Sequence, residues 1–400
     1  MRKIIVIGGG AAGFFAAINI AQRNPDDEVV ILEKTNKWLQ KVKVSGGGRC
    51  NVTNQLSKPS ELVGFYPRGA KKLYKSFEKF GTTDMVKWLK DHGVETQAEA
   101  DLRMFPVTNS SQTIIDCFID ACKRYGVNIL RNENVTELKQ VSDYKWQIST
   151  TANSFLADKL VICTGASPNF WNKLGALGLK TASPVPSLFT FNIKDSRLQE
   201  LAGVSFPRCL IKIAGTKLEE SGPLLITHWG LSGPAILKLS ARGARDLAVM
   251  SYKFEIIINF LESTTYEEAR QFLTSRKEEN VKKNIGNVMP DIPKRYWLSL
   301  LDYCQINPET KMGDMGKKAL NKLTEELFQA RFAVSGKSTF KEEFVTCGGV
   351  ELSEINMETM EARRFPNLYL SGEVLNIDAL TGGFNFQACW TSSWIISRSI

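Results

Sequence analysis

Residues able to do chemistry gather near the two ends of the chain. Gly8, Gly10 and Gly13 form a G-x-G-x-x-G array, and Glu33 stands twenty residues beyond the last of them. Glycines in that pattern let a backbone approach a diphosphate, and the acid can accept hydrogen bonds from two vicinal hydroxyls. Residues 45–54 read SGGGRCNVTN: three consecutive glycines, Arg49, Cys50 and the hydrogen-bonding side chains of Asn51, Thr53 and Asn54. Such a run builds neither a helix interior nor a core, but it can lay bare backbone and one cation against a ligand. Residues 372–388 read GEVLNIDALTGGFNFQA, with an acid at Glu373 and a second glycine pair at Gly382 and Gly383.

These residues need elements to hold them. Residues 4–7 are a continuous β-branched run, as in a parallel strand buried on both faces. Ala12, Ala16, Ala17 and Ile20 come next at helical spacing, and their small size allows close packing on a sheet. Asn24-Pro25-Asp26-Asp27 ends that helix, and residues 29–32 form a second strand that delivers Glu33. Strand, glycine array, helix, strand and acid together make a dinucleotide-binding unit. In it Gly8 makes the turn, Gly10 admits the pyrophosphate and Gly13 allows close helix–strand packing. The helix start, with Ala12, turns its positive end toward phosphate. The Glu33 carboxylate, next to Lys34, suits an unmodified adenosine ribose and repels a 2′-phosphate. The ligand expected is therefore FAD or NAD and not NADP.

The stretch of chain after Glu33 decides between these two. An NAD unit passes directly into its next strand and helix, whereas this chain enters the glycine-rich run. Gly46, Gly47 and Gly48 can touch a cofactor through backbone, Arg49 can offset phosphate charge, and Cys50 and Asn51 can lie near a flavin. Residues 132–166 read as a three-stranded meander leading into a buried strand that ends at Thr164 and Gly165, with the Val135 backbone placed to read an adenine edge. A strand at 368–370, then Gly372 and Glu373, then Gly383 before a helix from about 384 to 397, can close the cofactor from the other side. Glu373 would take the ribityl chain, and Phe384, Asn385 and Gln387 would bring a positive helix end to the flavin pyrimidine. FAD is the cofactor expected, and the other half-reaction is open to oxygen, a transiently bound NAD(P)H as electron donor, or another acceptor.

The segments SGGGRCNVTN, THWGLSGPAIL and GEVLNIDALTGGFNFQA together resemble the bacterial flavoprotein family of BaiN-type and aminoacetone-oxidase-like proteins, along essentially the whole chain. The resemblance implies an α/β fold: a Rossmann-type FAD-binding domain of glutathione-reductase-like topology, interrupted by an inserted β-barrel and helical subdomain. The expected boundaries are 1–186 and 346–400 for the FAD domain and 187–345 for the insertion. Within the insertion the barrel takes about 187–262 and 330–345, and the helices about 263–329. Alternation at Phe189, Phe191 and Ile193, and at Tyr252, Phe254, Ile256 and Ile258, supports barrel strands on its own account. Helices are expected over 266–283, 293–303 and 315–329. Asn376 stands where many relatives carry Asp, which puts an acid–base role there in doubt.

Other signals exclude more than they suggest. With His92 and His228 the only histidines and no C-x-x-C pair, no metal site is expected. Cys117 and Cys122 have a redox-pair spacing but lie in a predicted helix on different faces. RFAVSGKST lacks the first glycine of a P-loop, and no second G-x-G-x-x-G exists for a nicotinamide domain. His228 and Cys50 are the two candidate catalytic residues, each with a plain structural alternative as a packing or loop residue. No apolar run spans a bilayer, and the opening residues read as a strand, so a cytoplasmic location without membrane association is expected. The net charge of +9 falls in scattered pairs such as Lys71-Lys72 and Lys282-Lys283, which reads as an ordinary basic surface and argues against nucleic acid. The expected function is hydride exchange between flavin N5 and a small-molecule substrate lodged between the FAD domain and the barrel. The alternatives are an FAD-dependent tRNA-modifying enzyme and a non-catalytic flavin-binding redox protein. Oligomeric state is left open.

Overall fold

The computed structural model describes residues 1–142, 144–263, 265–338 and 345–400. The chain divides into two compact units, Met1–Val185 with Lys341–Ile400, and Pro186–Phe340.

The first unit is built on a seven-stranded sheet with β1 (Lys3–Ile7) in its interior. β1 pairs in parallel with β2 (Glu28–Glu33) on one side and with Lys159–Ile162 on the other. Leu368–Leu370 continues the parallel order beyond Lys159–Ile162, and Asn128–Arg131 does so beyond β2. Both faces of β1 are covered, so residues 4–7 are all buried and need no polar alternation. Helix α1 (Ala11–Arg23) packs along the C-terminal helix Phe384–Ser399, which is buried almost all round. Apolar surroundings require its hydroxyls to be satisfied locally: Ser392 Oγ donates to Ala388 O at 2.6 Å, and Ser393 Oγ donates across to Ala12 O at 2.8 Å. The expected meander is present as Val135–Ser142, Lys145–Thr150 and Ser154–Ala157.

The second unit holds a closed six-stranded barrel, in the order Thr190–Ile193, Gly230–Ser232, Glu219–Thr227, Ser205–Ile213, Phe254–Asn259 and Ala330–Ser338. Phe191, Ile211, Ile226, Ile256, Ile258 and Phe332 are all buried in its core. Helices Tyr266–Glu279, Lys294–Tyr303 and Lys317–Phe328 complete the unit. Arg197, with a 4% exposed side chain, pairs with Asp195 at 2.7 Å and Glu326 at 2.5 Å, and it lies over the Phe332 ring. A buried guanidinium needs such partners to offset its lost hydration.

Three local expectations are corrected. The helix from Tyr266 stops at Glu279 rather than at 283, because Asn280 takes the C-cap and its Nδ2 donates to Arg276 O at 2.9 Å. Tyr252 lies in a left-handed turn with φ 57° instead of a strand, and the alternating strand begins at Phe254. The expected barrel ending at 345 runs past the described strand, which closes at Ser338. Residues 339–344 lie outside those described, and Val345 opens a different strand, Val345–Val350, paired with Thr181–Ser187.

A Cβ placed on Gly13 would come within 1.9 Å of Gly8 O, whereas one on Gly64 would meet nothing within 4 Å. Gly13→Ala should therefore destabilise the protein by at least about 1–3 kcal/mol, with Gly64→Ala close to neutral. Urea unfolding midpoints of the two variants check this, and equal midpoints would refute the packing argument.

Candidate functional site

The three glycines of the first turn do different work. Gly8 has φ +110°, and a Cβ there would lie 2.4 Å from Cys163 O. Gly8 and Gly13 are thus required by packing between β1, α1 and the neighbouring strand. Gly10 is not: a Cβ on it would meet nothing within 4 Å. It caps α1 in an extended conformation without a side-chain cap, and the first intrahelical bond is Phe14 N to Gly10 O at 3.0 Å. The N–H groups before Phe14, Ala12 included, therefore belong to the positive, uncapped end of a thirteen-residue helix.

Glu33 ends β2 in front of this turn. Its Oε2 accepts from Gly9 N at 2.9 Å, and its Oε1 accepts from Thr35 N and Thr35 Oγ1, each at 2.9 Å. A carboxylate has about four acceptor positions, so roughly one remains for a ligand hydroxyl, not one for each of two. Lys34 is exposed beside it.

The glycine-rich run has two halves with different tasks. Its first half leaves helix α2 (Gln40–Gly48) at Ser45, then takes φ 56°, 67° and 83° at Gly46, Gly47 and Gly48. Side-chain-bearing residues resist that left-handed arch. A Cβ on Gly46 would meet Asn51 N at 2.9 Å, but Gly47 and Gly48 face open space. The second half is sewn to the far end of the chain. The Asn51 amide, with its oxygen toward Gly383, accepts from Gly383 N and donates to Thr53 O, both at 2.9 Å. Thr53 Oγ1 donates to Gln387 Oε1 at 2.6 Å, Asn54 Nδ2 to Gly382 O at 3.0 Å, and Trp390 Nε1 to Val52 O at 2.8 Å. Gly383 allows this approach, since its Cβ would fall 2.3 Å from Thr53 O.

A second junction joins α2 to the segment after Leu368–Leu370. Lys41 Nζ lies 2.6 Å from Glu373 Oε2, and that carboxylate holds the Lys41 ammonium above its usual pKa. The Cα of Gly165 faces the same carboxylate, a Cβ there falling 3.7 Å from Glu373 Oε2. Gly372, with φ 76°, abuts Ala12 and Cys389. Next to Gly165, the Thr164 hydroxyl oxygen is buried with no hydrogen-bond partner. Backbone from four separate segments, around residues 10, 47, 165 and 372, is thus tied into one framework.

Several expected contacts are spent elsewhere. Arg49 pairs with Glu99 at 2.5 Å and stacks over Phe105 at 4.1 Å, so its charge is already engaged. Phe384 stacks on Phe65 at 4.3 Å, and its carbonyl accepts from Tyr66 OH at 2.6 Å. Asn385 grips the backbone of Ala379 with both amide atoms, at 2.9 and 3.1 Å. Gln387 is fully buried and also donates to Thr391 Oγ1. These three brace the loop. Cys50 is fully buried, and burial pushes its thiol up to about 12, which removes the thiolate a redox role needs. Cys117 and Cys122 are pushed up to about 12 in the same way, and all eight cysteines are free. His228 is exposed with Trp229 at the turn between Glu219–Thr227 and Gly230–Ser232, so it packs beneath nothing in its own unit. Val135 is buried at the start of the meander. Asn376 donates to Glu351 Oε2 at 3.3 Å, and its own oxygen is buried and unpartnered. Lys41 and Trp390 were missed by sequence reasoning. Lys41 lies one turn before the glycines, a position that could have suggested a partner. Among the described residues no group of side chains could hold a metal ion, and no helix is long and apolar enough to cross a membrane.

Open backbone at Gly10, Gly47 and Gly48, an uncapped helix start, an orphaned Thr164 hydroxyl and a carboxylate with a vacant acceptor position suit a dinucleotide cofactor. The model of the family described as HI0933-like protein Rossmann domain matches residues 2–399. The chain belongs to that family. It is 29% identical to the ribosomal RNA dihydrouridine synthase of Escherichia coli K12, over 99% of this chain and 97% of that protein. It is 25% identical to a 3-dehydro-bile acid delta(4,6)-reductase of Clostridium scindens, over 100% of this chain and 99% of the relative. Among solved structures it resembles the 3-ketosteroid delta1-dehydrogenase of Sterolibacterium denitrificans in complex with 1,4-androstadiene-3,17-dione. That match has TM-score 0.52 and 10% identity, and covers 100% of this chain and 99% of the other, a likeness of fold. The cofactor of this family member is FAD, and the protein is an FAD-dependent oxidoreductase.

Two substitutions separate cradle from scaffold. Glu33→Ala removes a charged acceptor and frees Gly9 and Thr35, so FAD affinity should fall about ten- to a hundredfold, equivalent to roughly 1.5–3 kcal/mol. Thr164→Val removes a hydroxyl that has no protein partner, so apoprotein stability should hold while FAD binding weakens about fivefold, near 1 kcal/mol. Flavin fluorescence titration and thermal unfolding of apoprotein measure both. A Thr164→Val apoprotein that unfolds early would overturn the assignment.

Proposed function

We propose that this flavoprotein reduces a carbon–carbon double bond conjugated to a carbonyl. The observation that carries the flavin part is the framework of open backbone at Gly10, Gly47 and Gly48 beside the unpartnered Thr164 hydroxyl. FAD, when bound, supplies two-electron chemistry at N5. The reaction class is favoured by what the relatives' names have in common. Dihydrouridine synthesis saturates a ring double bond next to a carbonyl, and a delta(4,6)-reductase of a 3-dehydro-bile acid does the same in a steroid ring.

The chain's own part is binding and positioning. The start of α1 would hold the diphosphate, with Glu33 at one adenosine hydroxyl and Gly47 and Gly48 along the cofactor. The Lys41–Glu373 pair would lie by the ribityl chain, where a fixed carboxylate can accept a hydroxyl hydrogen. Asn385 would hold residues 376–383 in place at the flavin end, together with Asn51 and Asn54. No second G-x-G-x-x-G exists in the sequence, so a nicotinamide donor would bind transiently and leave before the substrate enters.

A second reading gives the substrate as a uracil base within RNA rather than a free small molecule. It is favoured by the first of these relatives and by a concentration of charge that runs against the even spread expected above. Residues 34–90 contain thirteen lysines and arginines against three carboxylates.

An anaerobic titration of the holoprotein with NADPH, then NADH, tests the proposal. The flavin should bleach and then recolour on addition of a conjugated enone or of ribosomal RNA lacking dihydrouridine. If it bleaches but only oxygen recolours it, the double-bond reductase reading fails.

A further inference from the structure

We infer that the outer face of the helix Ala70–Lys79 is a docking surface for single-stranded RNA, an inference that rests on the RNA reading above. The helix buries Leu73, Ser76 and Phe77 and turns Lys71, Lys72, Tyr74 and Lys75 outward. Lys71, Tyr74 and Lys75 fall at i, i+3 and i+4 and so share one face, with Lys72 at its flank. None of these three lysines makes a salt bridge among the described residues, whereas many of their neighbours do. Arg68, just before the helix, is bound to Asp378, and Lys79 at its end is bound to Glu358. Glu78 is the one carboxylate of the helix itself, a turn beyond Tyr74, and Glu358, held by Lys79, lies near enough to Lys75 for the two charges to interact. Tyr74 is 40% exposed between Lys71 and Lys75.

The chemistry of this face selects among anionic partners. A membrane-binding helix needs an apolar band to insert, but the outward residues here include no large aliphatic side chain. Three cations around one aromatic ring suit a flexible polyanion with bases that can stack. The helix is also fastened to the part of the framework that would border the flavin. Arg68 and Asp378 form a backbone bridge as well as an ion pair, and a Cβ on Gly69 would lie 2.9 Å from Ile377. Leu380 N donates to Phe65 O at 2.9 Å. RNA held on Lys71, Lys72 and Lys75 would therefore run beside residues 376–383.

The test is fluorescence anisotropy of the holoprotein with a labelled single-stranded fragment of ribosomal RNA, over a series of salt concentrations. The comparison is a Lys71→Gln/Lys72→Gln/Lys75→Gln variant, with Lys282→Gln/Lys283→Gln/Lys318→Gln as a control on the other unit. Wild type and control should bind with the same salt slope, and the first triple variant should lose about two units of slope, near 0.7 for each phosphate contact. Tyr74→Ala should weaken binding at least about fivefold with the slope unchanged. Flavin content and bleaching by NADPH should match wild type in every variant, which separates docking from folding. Wild-type binding that the first triple variant leaves intact would overturn this surface and spare the RNA reading. Absence of wild-type RNA binding at low salt, or binding only to vesicles of phosphatidylglycerol, would overturn both.

Discussion

Everything in the FAD unit depends on one seam, the hydrogen-bonded stitching of residues 51–54 to residues 382–390. Asn51, Thr53, Asn54, Gln387 and Trp390 each make a bond across it, and all are buried. A buried amide or hydroxyl left without a partner costs about 1–3 kcal/mol, so these bonds are more costly to break than to form. With the seam made, the left-handed glycine arch has a rigid base and the C-terminal helix has a fixed start. The polar side chains here serve geometry.

That role explains which parts of the site were legible in the sequence. Gly8, Gly10, Gly13 and Glu33 could be read because a strand, a helix and a fixed spacing surround them, and local chemistry determines their conformation. The barrel strands and the meander were legible through alternation, and the C-terminal helix began where expected, at Phe384. Arg49, Phe384, Asn385 and Gln387 were read as ligand contacts because their types suit a ligand. Whether such a side chain faces a ligand or another segment depends on the partners that the tertiary fold brings to it. Glu99 takes Arg49, and Phe65 takes Phe384, by tertiary geometry that no spacing rule encodes. Cys50 illustrates the same limit, since its chemistry is set by burial rather than by its glycine-rich surroundings.

Helix α2 was one of the elements missed, with the helices Ala70–Lys79, Thr82–Asp91 and Pro168–Ala176. Gln40 to Val44 carry no strong periodic signal, and the glycines after them argue for a loop. The helix forms nonetheless, with Val42 buried and Leu39 N donating to Gly9 O at 2.8 Å. Tertiary anchoring at both ends overrides weak propensity here. Its placement brings Lys41 to Glu373 and gives the framework its second cross-link.

The seam also orders events in time. Its two sides are separated by more than three hundred residues, including a second unit with its own hydrophobic core. During synthesis the barrel unit can fold on the growing chain while the earlier strands β1 and β2 still lack Leu368–Leu370 and the C-terminal helix. Contacts of such long range form late, after the loop between them has lost its freedom. A nascent chain therefore carries the glycine fingerprint long before residues 382–390 have docked against residues 51–54.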